Sequence, residues 1–124
     1  VIQFMFPEVE ADDVISAVAQ APIYDGWQKV IISSDKDFIQ LLGSDDVVLY
    51  RPIQKQFLNR LRVVEEYGIH PANFAMARAM VGDPSDNLPG IRGIGLPSVA
   101  KRLIFLQERK SFTLSDIYEH CENV

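Results

Sequence analysis

An α/β fold is predicted for this chain, with a parallel sheet in the first half and a helical region in the second. Three observations predict it. Two short apolar, β-prone runs, residues 1–6 (VIQFMF) and 29–34 (KVIISS), bracket a run whose apolar positions recur at helical spacing. A further β-prone run at 46–52 (DVVLYRP) follows a short helical stretch, so strands and helices alternate as a parallel sheet requires. From residue 60 onward the pattern is helical, broken by one loop dense in proline and glycine.

Each element has its own signal. Residues 1–6 and 29–34 are too short for helices and read as buried strands. Between them, residues 10–21 (EADDVISAVAQA) place Val14, Ile15 and Val18 near helical spacing and end before Pro22. A second helix is expected at about 37–42, before the strand at 46–52. In the second half, 61–68 (LRVVEEYG) ends at Gly68, and 71–82 (PANFAMARAMVG) opens with a proline suited to a first helical turn and closes at Gly82. Residues 83–95 (DPSDNLPGIRGIG) form the loop, and 96–107 and 113–121 are two further helices. There is no internal repeat and no low-complexity segment.

A length of 124 residues, 48% hydrophobic and 23% charged, is that of one ordinary globular domain. No apolar run approaches the roughly 20 residues that span a bilayer, and no signal-peptide pattern opens the chain, so a soluble, unsecreted protein without a membrane partner is expected. The lone Cys121 allows neither an internal disulfide nor a multi-thiolate zinc site and fits a reducing compartment. Charge is segregated along the chain. Residues 1–49 hold nine acids against Lys29 and Lys36, whereas residues 50–110 hold ten basic residues against five acids. An acidic half joined to a basic half suits a metal-using enzyme acting on a polyanion, and an unevenly charged solvated surface accounts for it equally well.

The acids fall into three clusters. Glu10, Asp12 and Asp13 sit at the start of the first helix, where the helix dipole alone is one sufficient reason for them. Asp35 and Asp37 immediately follow a predicted buried strand, at the carboxyl end where open α/β sheets bind ligands. If the two strands are parallel neighbours, all five carboxylates converge, and mutual repulsion then calls for a cation. Oxygen ligands without a partnering His or Cys point to hard ions such as Mg2+ or Mn2+. The stretch DKDFIQ lacks the ligands and glycine of an EF-hand, and an Asp-x-Asp phosphatase leaves the first cluster unexplained. Asp83 and Asp86, in GDPSDN, form the third cluster, for which turn chemistry is an alternative reason. Together the three clusters suggest two adjacent metal sites, whose ions, roughly 4 Å apart, serve phosphodiester hydrolysis.

Beyond them, Gly90, Gly93 and Gly95 lie in a tight turn ahead of a helix carrying Ser98, Lys101 and Arg102, with Arg92 inside the turn. Glycines let backbone N–H groups approach a phosphate, and a helix N-terminus favours anions; a plain loop and cap is the alternative.

The ordered set EADD, SSDKDFIQLL, GDPSDN and LPGIRGIG, spanning about residues 4–106, resembles the structure-specific 5' nuclease family: flap endonucleases, phage 5'-3' exonucleases and the 5' nuclease domain of bacterial DNA polymerase I. The resemblance implies a PIN-like parallel-sheet core over 1–59 and a helical region over 60–124. That region would carry a helix-hairpin-helix motif at about 82–106. It implies metal-dependent 5'-3' exonuclease or flap endonuclease activity on 5' flap, nicked or branched DNA through two divalent ions, with no small-molecule cofactor. Glu10, Asp12, Asp13, Asp35, Asp37, Asp83 and Asp86 match the family's ligands. Gly90, Gly93 and Gly95 match its DNA-gripping hairpin, where K+ can also bind, and Arg92, Ser98, Lys101 and Arg102 in and after that turn are expected to contact DNA with them. A monomer in the bacterial or phage-infected cytoplasm, acting in replication and repair, is expected.

Two departures qualify this reading. Family members carry Lys-Thr or Arg-Thr where this chain has Pro97 and Ser98, so Lys101 or Arg102 is expected to compensate. The family's first acidic strand and its basic helical arch have no counterpart in the 124 residues, so the chain reads as part of a longer nuclease, weak or inactive alone. Two rivals keep part of the pattern: a non-catalytic helix-hairpin-helix DNA-binding module, and a PIN-type ribonuclease.

Overall fold

The structure, a computed structural model, describes residues 1–122. The last two residues of the expected helical region, 123 and 124, lie outside the described residues. Three strands form one sheet in the order β1 (Lys29–Ile32), β2 (Val47–Arg51), β3 (Gln56–Leu58). Among the described residues five α-helices accompany them: α1 (Ala11–Gln20), α2 (Arg60–Tyr67), α3 (Phe74–Val81), α4 (Leu96–Arg102) and α5 (Leu114–Glu122).

The sheet is mixed. β1 and β2 pair in parallel, with Lys29 opposite Val47 and Ile32 opposite Tyr50, as the alternating pattern predicts. β3, absent from the sequence reading, returns antiparallel to β2 through a tight turn in which Lys55 adopts φ +51°. Its three residues are too few for period-two alternation to register. Along β2, Val47, Leu49 and Arg51 point to the buried side.

The opening run is the main correction. Residues 1–6 form no strand and are exposed throughout. Strand propensity measures how well a side chain fits a pleated, half-buried surface; beside this run there is no partner strand among the described residues, so it has no ladder to join. Phe4 stacks on Phe6 at 6.3 Å and lies over the groove between α1 and β1, lined by Val14, Ile15, Val18, Val30 and Ile32. β1 is correspondingly buried only at Ile31, not along its whole length.

Helix boundaries differ for physical reasons too. The helix expected at 37–42 is a six-residue 3₁₀ helix, Lys36–Leu41, with Asp35 accepting a bond from the Asp37 amide at its start. The helix expected over 96–107 ends at Arg102; Leu103 takes φ −114° and ψ 64°, and a 3₁₀ turn follows at Ile104–Gln107. Gly68 closes α2 in the left-handed conformation, φ 69°, as a terminating glycine should. Thr113 and Asp116 exchange side-chain and backbone bonds at the start of α5, a reciprocal cap that holds the Asp116 carboxyl below its ordinary range.

One apolar core joins the two halves. Ile39, Leu42, Leu49, Leu58, Val63, Ile69, Phe74, Ala77 and Leu106 are fully buried in it, with Val99 and Ile117 closing the far side. Asn73 is also fully buried and donates through Nδ2 to the carbonyls of Leu106, Glu108 and Lys110, while its Oδ1 accepts from the Phe112 amide. His70 is buried and caps the 3₁₀ turn at Pro71–Asn73: its Nδ1 accepts from the Ala72 amide, and burial, with Arg60 and Arg109 nearby, lowers its pKa.

Candidate metal centre

Two loops and the first turn of a helix build the site at one edge of the sheet. β1 ends at Ile32, and Ser33 extends the pairing by donating to the Tyr50 carbonyl. The chain then turns: the Asp35 amide donates to Ser33 Oγ at 3.1 Å, and the Asp37 amide donates to Asp35 Oδ1 at 2.9 Å. These local bonds fix Asp35 and Asp37 immediately beyond the strand.

Across from them stands the first turn of α1. Glu10 occupies its N-cap, but its side chain caps no amide, so capping does not account for that carboxylate. Asp12, Asp35 and Asp37 come together so closely that one carboxylate oxygen from each lies within 4.8 Å of the others. Burial first, then the charges of Asp35, Asp37 and Asp13, push the Asp12 carboxyl above its ordinary range.

The third wall comes from the loop after α3. Asp83 opens a 3₁₀ turn at Pro84–Asp86, and its backbone exchanges both hydrogen bonds with Leu88 at 2.9 Å. Asp83 Oδ1 accepts from the Ser85 amide at 3.0 Å and hydroxyl at 2.6 Å, and these bonds, with Arg78 alongside, hold its pKa below the usual carboxylate range. Glu10, Asp12, Asp35, Asp37, Asp83 and Asp86 all line one open cavity of about 700 Å³.

Asp13 is not among them. One residue further around α1, it borders the apolar groove of Phe4, Phe6, Val9 and Val18 instead. Successive helical residues differ by about 100° in direction, so the four-residue run cannot aim every carboxylate at one point.

Three participants escaped the sequence reading. Arg78, in the last turn of α3, donates to Asp37 Oδ1 at 3.0 Å and Asp83 Oδ2 at 3.3 Å, joining two clusters. Its sequence signal was a cation five residues before Asp83, on a helix leading into the acidic loop. Ser85 braces Asp83, and Ser34 lines the cavity with a buried hydroxyl that has no hydrogen-bond partner among the described residues.

The glycine turn is placed on α3 and α4. The Ile91 amide donates to the Met80 carbonyl at 2.7 Å, seating the turn on the end of α3. Gly90 has an internal reason to be glycine, since a Cβ there would lie 2.1 Å from the Val81 carbonyl oxygen. Gly93 has φ +78° and nothing within 4 Å of a built Cβ. Gly95 starts α4 in ordinary extended geometry, followed by Leu96, Pro97 and Ser98. Arg92, Lys101 and Arg102 are exposed.

Against known proteins, the model of the 5'-3' exonuclease, N-terminal resolvase-like domain matches residues 1–68, more than half of the chain. The chain belongs to the 5'-3' exonuclease family. That match contains the first two acidic clusters and stops short of Asp83. The thermostable DNA polymerase I of Thermus thermophilus is 33% identical over 123 residues, covering 99% of this chain and 14% of its own length. The 5'-3' exonuclease of Buchnera aphidicola is 35% identical over 116 residues, covering 94% of this chain and 38% of its own. The chain therefore spans well under half of either relative. Among solved structures, a T5 5'-exonuclease with bound zinc superposes with a TM-score of 0.74 at 24% identity, over 94% of this chain and 41% of that one. A bacteriophage T5 flap endonuclease complex with DNA and metal ions gives 0.76 at 23%, over the same shares. These likenesses establish the shared mixed α/β fold. No helix among the described residues is long and apolar enough to cross a membrane.

Proposed function

We propose that this chain carries the metal-binding and DNA-binding parts of a nuclease that hydrolyses phosphodiesters near the 5' ends of flapped, nicked or branched DNA. The observation that carries the reading is the convergence of carboxylates from three separate stretches, around Asp12, Asp35 and Asp83, on one open cavity. The donor set fits divalent hard cations: it is all oxygen, it crowds three carboxylates within 4.8 Å, and it leaves the Ser34 hydroxyl without a hydrogen-bond partner among the described residues. Two Mg2+ or Mn2+ ions, when bound, would supply the Lewis acidity that phosphodiester hydrolysis needs.

Asp12, Asp35 and Asp37 would hold one ion, and Glu10, Asp83 and Asp86 line the same cavity; Asp13 is left to act through its charge. In this reading residues 1–59 form the acidic core and residues from 60 on the helical part that grips DNA. The turn at Gly90, Arg92, Gly93 and Gly95, with Ser98, Lys101 and Arg102 on α4, meets the duplex backbone without reading sequence. Support for the DNA assignment comes from family membership and from the exposure of all three cations beside an open glycine.

The metal half is tested by melting. A ligand that binds only the native state stabilises it, so Mn2+ at about ten times its dissociation constant should add about 1.4 kcal/mol, or roughly 5 °C. The double variant Asp35→Asn, Asp37→Asn should lose most of that shift. A melting curve indifferent to millimolar Mg2+ and Mn2+ would rule the metal reading out.

The DNA half is tested by salt. Binding of the wild-type chain to nicked duplex should weaken steeply with salt and show little sequence preference. Lys101→Ala and Arg102→Ala should each flatten the slope of log affinity against log salt by about one unit. Unchanged affinity and slope in the double variant would remove α4 from the interface.

A further inference from the structure

Arg78 reaches the carboxylate cavity from α3, three-quarters buried, with one guanidinium nitrogen donating to both Asp37 and Asp83. Asp37 belongs to the crowded trio, and Asp83 to the loop opposite, so this single nitrogen spans the two walls of the cavity. We infer that Arg78 is a positioning residue that serves the site as a built-in counter-cation: it draws the Asp83 loop and the Asp35–Asp37 loop together, and its charge lowers the affinity of the cavity for a divalent cation. The inference rests on the metal reading above and adds to it a residue that sets how tightly the ion is held.

Two effects oppose each other, and their sizes decide the sign. By holding carboxylates in place, Arg78 spares an incoming ion the cost of ordering them. That contribution is confined to Asp37, whose backbone amide is seated on Asp35 but whose carboxylate accepts from Arg78, because Asp83 is already fixed by the Ser85 amide and hydroxyl and by its backbone pair with Leu88. Charge repulsion is larger. A dication touching a carboxylate that Arg78 also touches sits about 5 Å from a full positive charge, which weakens its binding roughly tenfold even with water-like screening. The largely buried Arg78 side chain is screened less than that. Removing the charge while keeping a donor should therefore tighten the ion.

The experiment measures Mn2+ binding to the 124-residue chain by the paramagnetic signal of the free ion, at low salt, for the wild type, Arg78→Gln and Arg78→Lys. Melting curves without metal establish that each variant is folded. Glutamine retains a hydrogen-bond donor without the charge, and lysine retains the charge without the planar fork. Arg78→Gln is expected to bind Mn2+ about tenfold more tightly, with the gain shrinking at high salt, and Arg78→Lys to stay within about threefold of wild type. Equal or weaker binding by Arg78→Gln, with the wild type binding normally, would overturn this inference and leave the metal reading standing. Arg78→Lys binding as tightly as Arg78→Gln would overturn it as well, since charge would then not be the cause. Absence of binding by all three chains would remove the metal reading and this inference together.

Discussion

Gly90→Ala should destabilise the chain by about 3 kcal/mol or more, lowering the melting temperature by roughly 10 °C. A Cβ built on Gly90 meets the Val81 carbonyl oxygen at 2.1 Å, the Val81 carbonyl carbon at 2.2 Å and the Gly82 amide nitrogen at 2.5 Å. All three are backbone atoms at the end of α3, so no side-chain rotation relieves the clash. Either α3 loses its last turn or the loop lifts away, breaking the bond from the Ile91 amide to the Met80 carbonyl. The Asp83 loop lies between these two points, so the same change should disturb the carboxylate cavity and weaken any Mn2+ shift. Gly93→Ala is the contrast. Its φ of +78° costs an alanine about 1 kcal/mol, but nothing obstructs the new methyl group. Equal melting temperatures for the two variants, measured by circular dichroism, would refute this account of the turn. A loss of DNA binding in Gly93→Ala with stability nearly kept would assign that glycine to the interface.

Asn73→Ala should cost about 3 kcal/mol, for a different reason. Its amide nitrogen serves the carbonyls of Leu106, Glu108 and Lys110, with the shortest bond 2.8 Å to Lys110, and its oxygen receives the Phe112 amide at 2.9 Å. One side chain thus stands in for the secondary structure that residues 108–112 lack. Alanine leaves the Phe112 amide and several carbonyls without partners in a partly buried place, where each unsatisfied group costs about 1–3 kcal/mol unless water enters. Asn73→Asp should be at least as damaging near neutral pH, because a carboxylate would face three carbonyl oxygens instead of donating to them. Urea titration of the three chains checks both statements. A loss below about 1 kcal/mol in Asn73→Ala would mean that water replaces the amide and that the segment holds itself.

Neither residue was conspicuous in the sequence as a structural element. Asn73 read as one polar position in a helical run, and Gly90 read as a phosphate-facing glycine. The features that were legible share a property: their signal is local. Gly68 ends α2, Pro71 opens a helical turn, and the β-branched run before Asp35 makes a strand parallel to the next one. Spacing along the chain is enough to encode such things, because capping, turn chemistry and periodicity act over a few residues. The three acidic clusters were also visible, since each is a short run of carboxylates beside a turn or strand end.

The sequence by itself determined the alternation of elements, the places where the chain turns, and the supply of oxygen ligands. The tertiary structure decided which ligands meet. Glu10, Asp12, Asp35, Asp37, Asp83 and Asp86 reach one cavity because α1, the end of β1 and the loop after α3 are held at the same sheet edge by a common core, while Asp13 is turned to the apolar groove. It also denied residues 1–6 a ladder, added β3, and set Arg78 between two carboxylates. Side-chain direction on a helix changes by about 100° per residue, and pairing requires a neighbour brought from elsewhere in the chain. Composition can list the charges of a site; only the crossing of elements distant in sequence brings those charges within a few ångströms of one another.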